Sequence, residues 1–245
     1  MKADVVIPLS DQSKWQNNEL RYCLRSLDKY FTDLGEIYVL SPADLPWLQN
    51  AHLIYKNDPL KSNKDGNLVN KVLHACRLPE LSEQFIRLSD DQLFLQPTGI
   101  EFFAPFYLFN LKEKHQRWWS GKWKARMRRT MDYLTERQLP AFHFDTHSPQ
   151  LYDKSKFLNA WNDVDFEANI GYCINTFYFN HYPDYISRMV RLGAIKITLE
   201  QSLPRAKIME KIKNRQFMGY SDAGLNDDLK QILAELFPEK SRYEQ

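Results

Sequence analysis

The sequence predicts an α/β fold, a mainly parallel sheet flanked by helices, and three observations carry that prediction. Through the first half of the chain, short apolar runs alternate with segments of helical periodicity. Each run closes on a polar turn, as strands that end at a sheet rim do. The chain of 245 residues, 43% apolar and 26% charged, is long enough for one large domain with a substantial core.

The elements follow in order. "ADVVIPL" (3–9) is a β-branched strand closed by a polar turn. "NNELRYCLRSLDKYF" (17–31) sets Leu20, Leu24, Leu27 and Tyr30 at helical spacing behind Asn17 or Asn18 as N-cap. "EIYVLS" (36–41) and "AHLIYK" (51–56) are two further strands, "NLVNKVLHAC" (67–76) is a helix, and "QFIRLS" (84–89) is a fourth strand. Such alternation implies right-handed crossovers, with ligands held outside the carboxyl ends of the strands.

The second half reads as irregular and helical. Residues 112–138 form a basic, aromatic helical excursion, "FHFDTHSPQLYDKSKF" (142–157) is a loop entering a helix at Asp153, and "GYCINTFYFNHY" (171–182) is densely aromatic. "GLNDDLKQILAELF" (224–237) closes the chain as an amphipathic helix capped near Asn226. With no repeat and no Gly/Ser linker, the expectation is a single domain over 1–245. Within it, about 1–110 holds the alternating strands and helices and about 111–245 the irregular half.

Composition excludes several classes. No run approaches the ~18 apolar residues of a membrane span. The apolar start of "MKADVVIPLS" is too short for a signal peptide. The expected location is cytoplasmic. Cys23, Cys76 and Cys173 are scattered through apolar patterns, with neither a disulfide framework nor zinc spacing, and are expected as buried thiols. The net charge is only +2, yet residues 112–129, "KEKHQRWWSGKWKARMRR", hold eight Lys/Arg against one Glu, so the basicity is local.

The chemistry centres on "FIRLSDDQLFL" (85–95), where a buried strand runs into Asp90 and Asp91. Adjacent carboxylates repel, and burying them is expensive without a cation or strong donors. Mg²⁺ or Mn²⁺ suits such a pair, because either ion takes one or two protein carboxylates and completes its shell with water and substrate phosphates.

The stretches "NNELRYCLRSLDKYFTDLGEIYVLS", "LPWLQNAHLIY" and "LPELSEQFIRLSDDQLFL" resemble conserved regions of the Stealth family of sugar-phosphate transferases and of related GT-A-like glycosyltransferases of bacteria and phages. The resemblance spans residues 3–96. It implies a GT-A-like fold in which the strand-end acidic pair holds a metal against the diphosphate of a nucleotide sugar. Where the family carries a Trp-Val-Asp/Asn-Gly turn, this chain reads "PLSDQSKW", so ordinary glycosyl transfer is expected over sugar-phosphate transfer.

In that frame Ser10, Asp11, Lys14 and Trp15 follow the first strand, where a base-stacking ring and a ribose or uracil partner belong. Arg21 could reach phosphate from its helix face. Asn67, Asn70 and Lys71 open a helix suited to an anion, although capping alone also explains Asn67. His143, Asp145 and His147 alternate in "HFDTHSP" and would project to one side of an extended segment. His147 is then a third metal ligand or a general base, Asp145 an acceptor-side base, and His143 structural; "THSP" also resembles the family's His-x-Pro element. Trp118, Trp119, Arg126, Arg128 and Arg129 are the candidate acceptor contacts. Such residues can stack on bases and neutralise phosphates, lie on an anionic membrane, or simply form an amphipathic helix.

The expectation is therefore a metal-dependent glycosyltransferase. Asp90, Asp91 and His147 bind Mn²⁺ or Mg²⁺, Asp91, Asp145 and His147 serve catalysis, and a UDP-sugar is the donor. The acceptor is a glycan or a modified DNA base. The alternatives are sugar-phosphate transfer in polysaccharide synthesis and a nucleic-acid-binding module on a degenerate transferase fold.

Overall fold

The computed structural model describes residues 2–10, 13–113 and 121–245. Strand β1 (Ala3–Pro8) is buried at every position, as a central parallel strand must be. Helix α1 (Asn18–Tyr30) starts behind Asn17, whose φ of 57° lies in the left-handed region that asparagine tolerates. Strands β2 (Leu34–Ser41) and β3 (His52–Tyr55) then build outward on one side of β1, and both pairings are parallel.

Helix α2 (Lys64–Cys76) carries the chain back, and β4 (Gln84–Arg87) pairs parallel on the other side of β1. The direction of winding therefore reverses at β1. This is the switch point at which α/β sheets open a crevice beyond their carboxyl ends. After β5 (Gln92–Phe94), β6 (Phe106–Tyr107) and α3 (Gly121–Glu136), the chain returns as β7 (Gln150–Asp153), antiparallel to β4. The main sheet reads β3-β2-β1-β4-β7.

The second half is less purely helical than its sequence implies. Beyond α4 (Lys154–Ala160), α5 (Ile174–Asn180) and α6 (Pro183–Arg188) lie β8 (Val190–Arg191), β9 (Lys196–Leu199), α7 (Arg205–Ile212), β10 (Phe217–Tyr220) and α8 (Asp227–Leu236). Strand β10 pairs between β5 and β9, and β6 pairs with β8. These strands have two to four residues each, too few to establish a period-2 pattern.

Both faces of the main sheet are covered. Val5, Ile7, Ile37, Val39, Ile86 and Leu88 pack against Leu20, Leu24 and Leu27 of α1. The opposite face, with Val6, Leu40, Phe85 and Tyr152, packs against α2 and the aromatic side chains of α5. The dense aromatic segment is thus core. All three cysteines are free and buried. Among the described residues no helix is long and apolar enough to cross a membrane.

The carboxyl end of the chain is fastened by a buried ion cluster. Arg25 grips Glu244 with Nε at 2.7 Å and Nη2 at 2.9 Å, and Arg21 adds a contact at 3.3 Å while lying over the Trp47 ring. The Glu244 side chain has no solvent exposure. Glu244→Ala would strand Arg25 among apolar neighbours, and we expect a loss on the order of 3 kcal/mol in urea unfolding. Glu244 sits below the ordinary glutamate range, because the arginine hydrogen bonds outweigh burial, which acts the other way. Its stabilisation is therefore present above the unfolded pKa and fades as pH falls through the depressed one, so the wild-type advantage over the variant should shrink in acid.

Candidate functional site at the β1–β4 crevice

Two loops meet at the switch point. The chain leaving β1 presents Leu9 and Ser10, and the chain leaving β4 presents Ser89, Asp90 and Asp91. Between them and the first turns of α2 lies a cavity of about 410 Å³, also lined by Asp58, Lys61, Lys64, Asn67 and Lys71. A second cavity of about 570 Å³ opens beside it, and Leu68, Ser89 and His147 line both.

The α2 side of the first cavity is rigid. The helix begins at Lys64, with the Asn63 side chain accepting from the Gly66 amide at 2.8 Å, so Asn67 is not the cap. Asn67 instead clamps the Leu60 backbone, accepting from its N–H and donating to its carbonyl, both at 3.0 Å. Lys71 is buried, with its ammonium donating to the Leu9 carbonyl and to Asp58. It therefore ties the end of β1 to the 58–60 loop. Asn70 is half-buried on α2 and does not line the cavity.

The acidic pair sits in an electrostatically costly position. Burial, then the neighbouring Asp91 and Glu19, push the Asp90 carboxyl up to about 7. Glu19 is itself buried in the first turn of α1. Beneath the pair the buried Cys23 thiol donates to the Ser89 carbonyl, and burial together with both aspartates holds it in its neutral form. Asp91 divides its two oxygens. Oδ2 lies 3.1 Å from His147 Nε2, whereas Oδ1 is buried with no hydrogen-bond partner. The Tyr220 hydroxyl, buried and also unpartnered, lies in the field of Asp91, Glu19 and Asp90.

His147 is held by unusual backbone. Its φ is 53°, in the left-handed region that non-glycine residues enter uncommonly and histidine more readily than most. Across from it is Gly219 of β10, where a Cβ would stand 3.1 Å from the imidazole Cδ2. Glycine at that position leaves room for the ring.

The three residues of "HFDTHSP" all line the second cavity but do different work. His143 is buried, accepts from the Asp145 amide at Nδ1 (3.2 Å) and packs against Phe109 and Trp123. Asp145 accepts the amides of Asn175 (3.2 Å) and Thr176 (2.9 Å), so its carboxylate caps the start of α5. Both of its oxygens are thus engaged by backbone amides rather than by the acidic pair. His147 alone reaches the acidic pair.

Several expected contacts lie elsewhere. Lys14 pairs with Asp222 at 2.7 Å in the open, and Trp15 stacks on Tyr22 in the cluster beside α8. Neither lines the crevice. Arg21 is engaged with Glu244 and Trp47. On α3, Arg126 pairs with Asp65 at the second cavity, Arg128 is exposed, and Arg129 donates to the Ile170 and Asp165 carbonyls over the Tyr172 ring. Arg126 and Arg129, three residues apart, share one helix face and are engaged there, whereas Arg128 turns away to solvent, so the three do not form one free basic surface. Asp11, Trp118 and Trp119 lie outside the described residues.

Other residues at the site were not apparent in the sequence. Glu19, Gly219 and Tyr220 belong to it, as do two buried cations of the second cavity, Arg87 and Lys196. Arg87 left a signal, a charge inside the apolar run "QFIRLS". Lys196 did not, because "AIKITL" reads as an ordinary strand with its polar side chains in water.

Among the described residues, no three of His, Cys, Asp and Glu converge on a point where they could jointly hold a metal ion. A hard divalent cation needs only one or two protein carboxylates, and the desolvated Asp90 with the orphaned Asp91 Oδ1 fits that requirement. No family model matches the chain, and no curated protein matches it.

The electrostatic cost at Asp90 yields a stability prediction. Its folded pKa lies above the unfolded value, so the penalty is absent below the unfolded pKa of about 3.9, grows as pH rises toward 7, and is complete above that. Asp90→Asn should therefore raise the melting temperature of the metal-free protein at pH 8 by a few degrees, at about 2–4 °C per kcal/mol. At pH 4 the difference should vanish. An equal gain at both pH values would place its origin in something other than charge.

Proposed function

We propose that the chain is a divalent-metal-dependent glycosyltransferase of GT-A-like type, taking a nucleotide sugar in the first cavity and a hydroxyl acceptor in the second. The observation that carries this reading is the Asp91–His147 pair at the boundary between two adjoining cavities, at the carboxyl ends of β1 and β4. A donor and an acceptor have to meet at one point, and a carboxylate–imidazole pair there can serve both.

Asp90 and the free Oδ1 of Asp91 would hold Mn²⁺ or Mg²⁺. When bound, that ion neutralises the charge of the departing nucleoside diphosphate. Lys61 and Lys64 line the same cavity and add positive charge near the diphosphate. A UDP-sugar is the donor the sequence resemblance favours.

His147 serves the acceptor. With hydrogen on Nε2 it donates to Asp91 Oδ2, which leaves Nδ1 unprotonated to take the proton of an acceptor hydroxyl. Its left-handed backbone and the space over Gly219 fix the direction in which the ring faces. The same contact explains why Asp91, more than Asp90, should matter for turnover: it faces the cation with one oxygen and orients the base with the other.

Two measurements test this reading. Titration of UDP-sugars into the protein should show binding that requires Mn²⁺ and is lost in Asp91→Asn, which removes charge at nearly constant volume. Nucleotide release should then be assayed with candidate acceptors, where liberated UDP reports glycosyl transfer and liberated UMP reports sugar-phosphate transfer. Wild-type protein that binds no nucleotide sugar with Mn²⁺ present would remove the donor assignment. His147→Ala should keep donor binding and lower turnover by about 10²-fold or more.

A further inference from the structure

The second cavity holds two buried cations without ion-pair partners among the described residues, an arrangement that glycosyl transfer alone does not require. Arg87 on β4 and Lys196 on β9 both line it, and they are only 7% and 6% exposed. Among the described residues neither has a carboxylate partner. The Lys196 ammonium donates to the Thr146 carbonyl (3.1 Å) and the Thr198 hydroxyl (2.7 Å), both neutral. Arg87 faces the Tyr152 hydroxyl, and its Nε is buried with no acceptor.

The acids at this cavity offset its charge from a distance but form no ion pair with either cation. Asp145 is spent on the amides of α5, Asp65 on Arg126, and Asp91 Oδ2 on His147, while Glu200 stands exposed. Two buried cations in one cavity repel each other and lose hydration, a cost tolerated where an anion completes the site. Arginine cannot shed its proton to escape that cost, so its charge remains. Lysine can, and burial lowers the Lys196 ammonium to about 7 despite the attraction of Asp91 and Glu200.

We propose that Arg87 and Lys196 form a binding site for a phosphate monoester dianion within the second cavity. Two cations match a double negative charge, and the unsatisfied Arg87 Nε is the type of donor that a tetrahedral oxyanion accepts from. On the proposed glycosyltransferase reading, the acceptor is then a phosphorylated small molecule rather than a neutral glycan. The site itself does not depend on that reading.

The test uses the full chain with EDTA and no nucleotide sugar, so that metal-dependent donor binding makes no contribution. Inorganic phosphate and glucose 6-phosphate, each compared with chloride at matched ionic strength, should raise the melting temperature and bind measurably in calorimetry. Lys196→Met should fold at least as stably as wild type, because it removes an unpaired buried charge, yet bind phosphate at least about tenfold more weakly. Arg87→Met should weaken it similarly; if that variant fails to fold, Lys196→Met decides alone. Phosphate binding retained in Lys196→Met would locate the anion elsewhere and overturn the site, as would no response of wild type to either probe. A response to acetate as large as that to phosphate would overturn the assignment to a dianion. Mn²⁺-dependent UDP-sugar binding is read separately, so either assignment can fail while the other stands.

Discussion

Two carboxylates held side by side where the sheet is already dry constrain nearly everything around them. Asp90 and Asp91 end a buried strand, Glu19 adds a third acid from α1, and burial together with these two neighbours raises the cost of ionising Asp90. The neighbours divide into groups kept neutral by burial, reinforced by that field, and one group positioned to share a proton with it. Cys23 and Tyr220 belong to the first kind and His147 to the second. A fold built only for stability would place neutral side chains here, because apolar replacements of buried charge are often stabilising. The penalty makes sense if a ligand relieves it.

A second set of unpaired charges lies a few residues away. Among the described residues, Asp90 at the first cavity has no ion-pair partner and Asp91 has only His147, although Lys61, Lys64 and Lys71 also line it; at the second, Arg87 and Lys196 have no ion-pair partner, although Asp65, Asp145 and Glu200 also line it, with His147 on the wall that both share. The two sets do not pair with each other, because Asp91 is engaged with His147 and the Lys196 ammonium points its hydrogen bonds at neutral oxygens. Charge complementarity between protein and ligands would then be assigned by cavity, positive metal to one and anionic substrate to the other. Such a division would also orient the two substrates before any chemistry begins.

Much of the fold was legible in the sequence. The first four strands and first two helices fall within a few residues of their expected limits, because the helices are long enough to display a period and the strands lie in apolar runs that end at recognisable turns. The placement of Asp90 and Asp91 at the sheet rim followed from their position at the carboxyl end of a predicted strand. What sequence could not supply was the meeting of distant short segments. Strand β7 reaches the main sheet from the far side of α3, and the β5-β10-β9 sheet assembles from pieces of three and four residues. His147 was identifiable as a residue type, but its contact with Asp91 spans 56 positions of chain and depends on that later topology. Asn67 shows the same limit locally: it reads as a cap, yet the helix starts earlier at Asn63 and frees its amide to hold Leu60.

Several residues that break local rules meet around one point, although left-handed backbone like that of His147 also occurs at Gln16, Gln138 and other positions away from it. A glycine inside a strand, an arginine in an apolar run and a lysine buried among neutral partners would each be costly alone. Here Arg87, Lys196 and His147 line one cavity, and Gly219 faces the His147 ring. Regular strands and apolar helices surround them, so the energy to hold strained or charged groups comes from well-packed neighbours rather than from the site. Consistency elsewhere makes the local violations informative: a chain that obeys packing rules over its sheet faces and abandons them at the switch point is organised around what binds there.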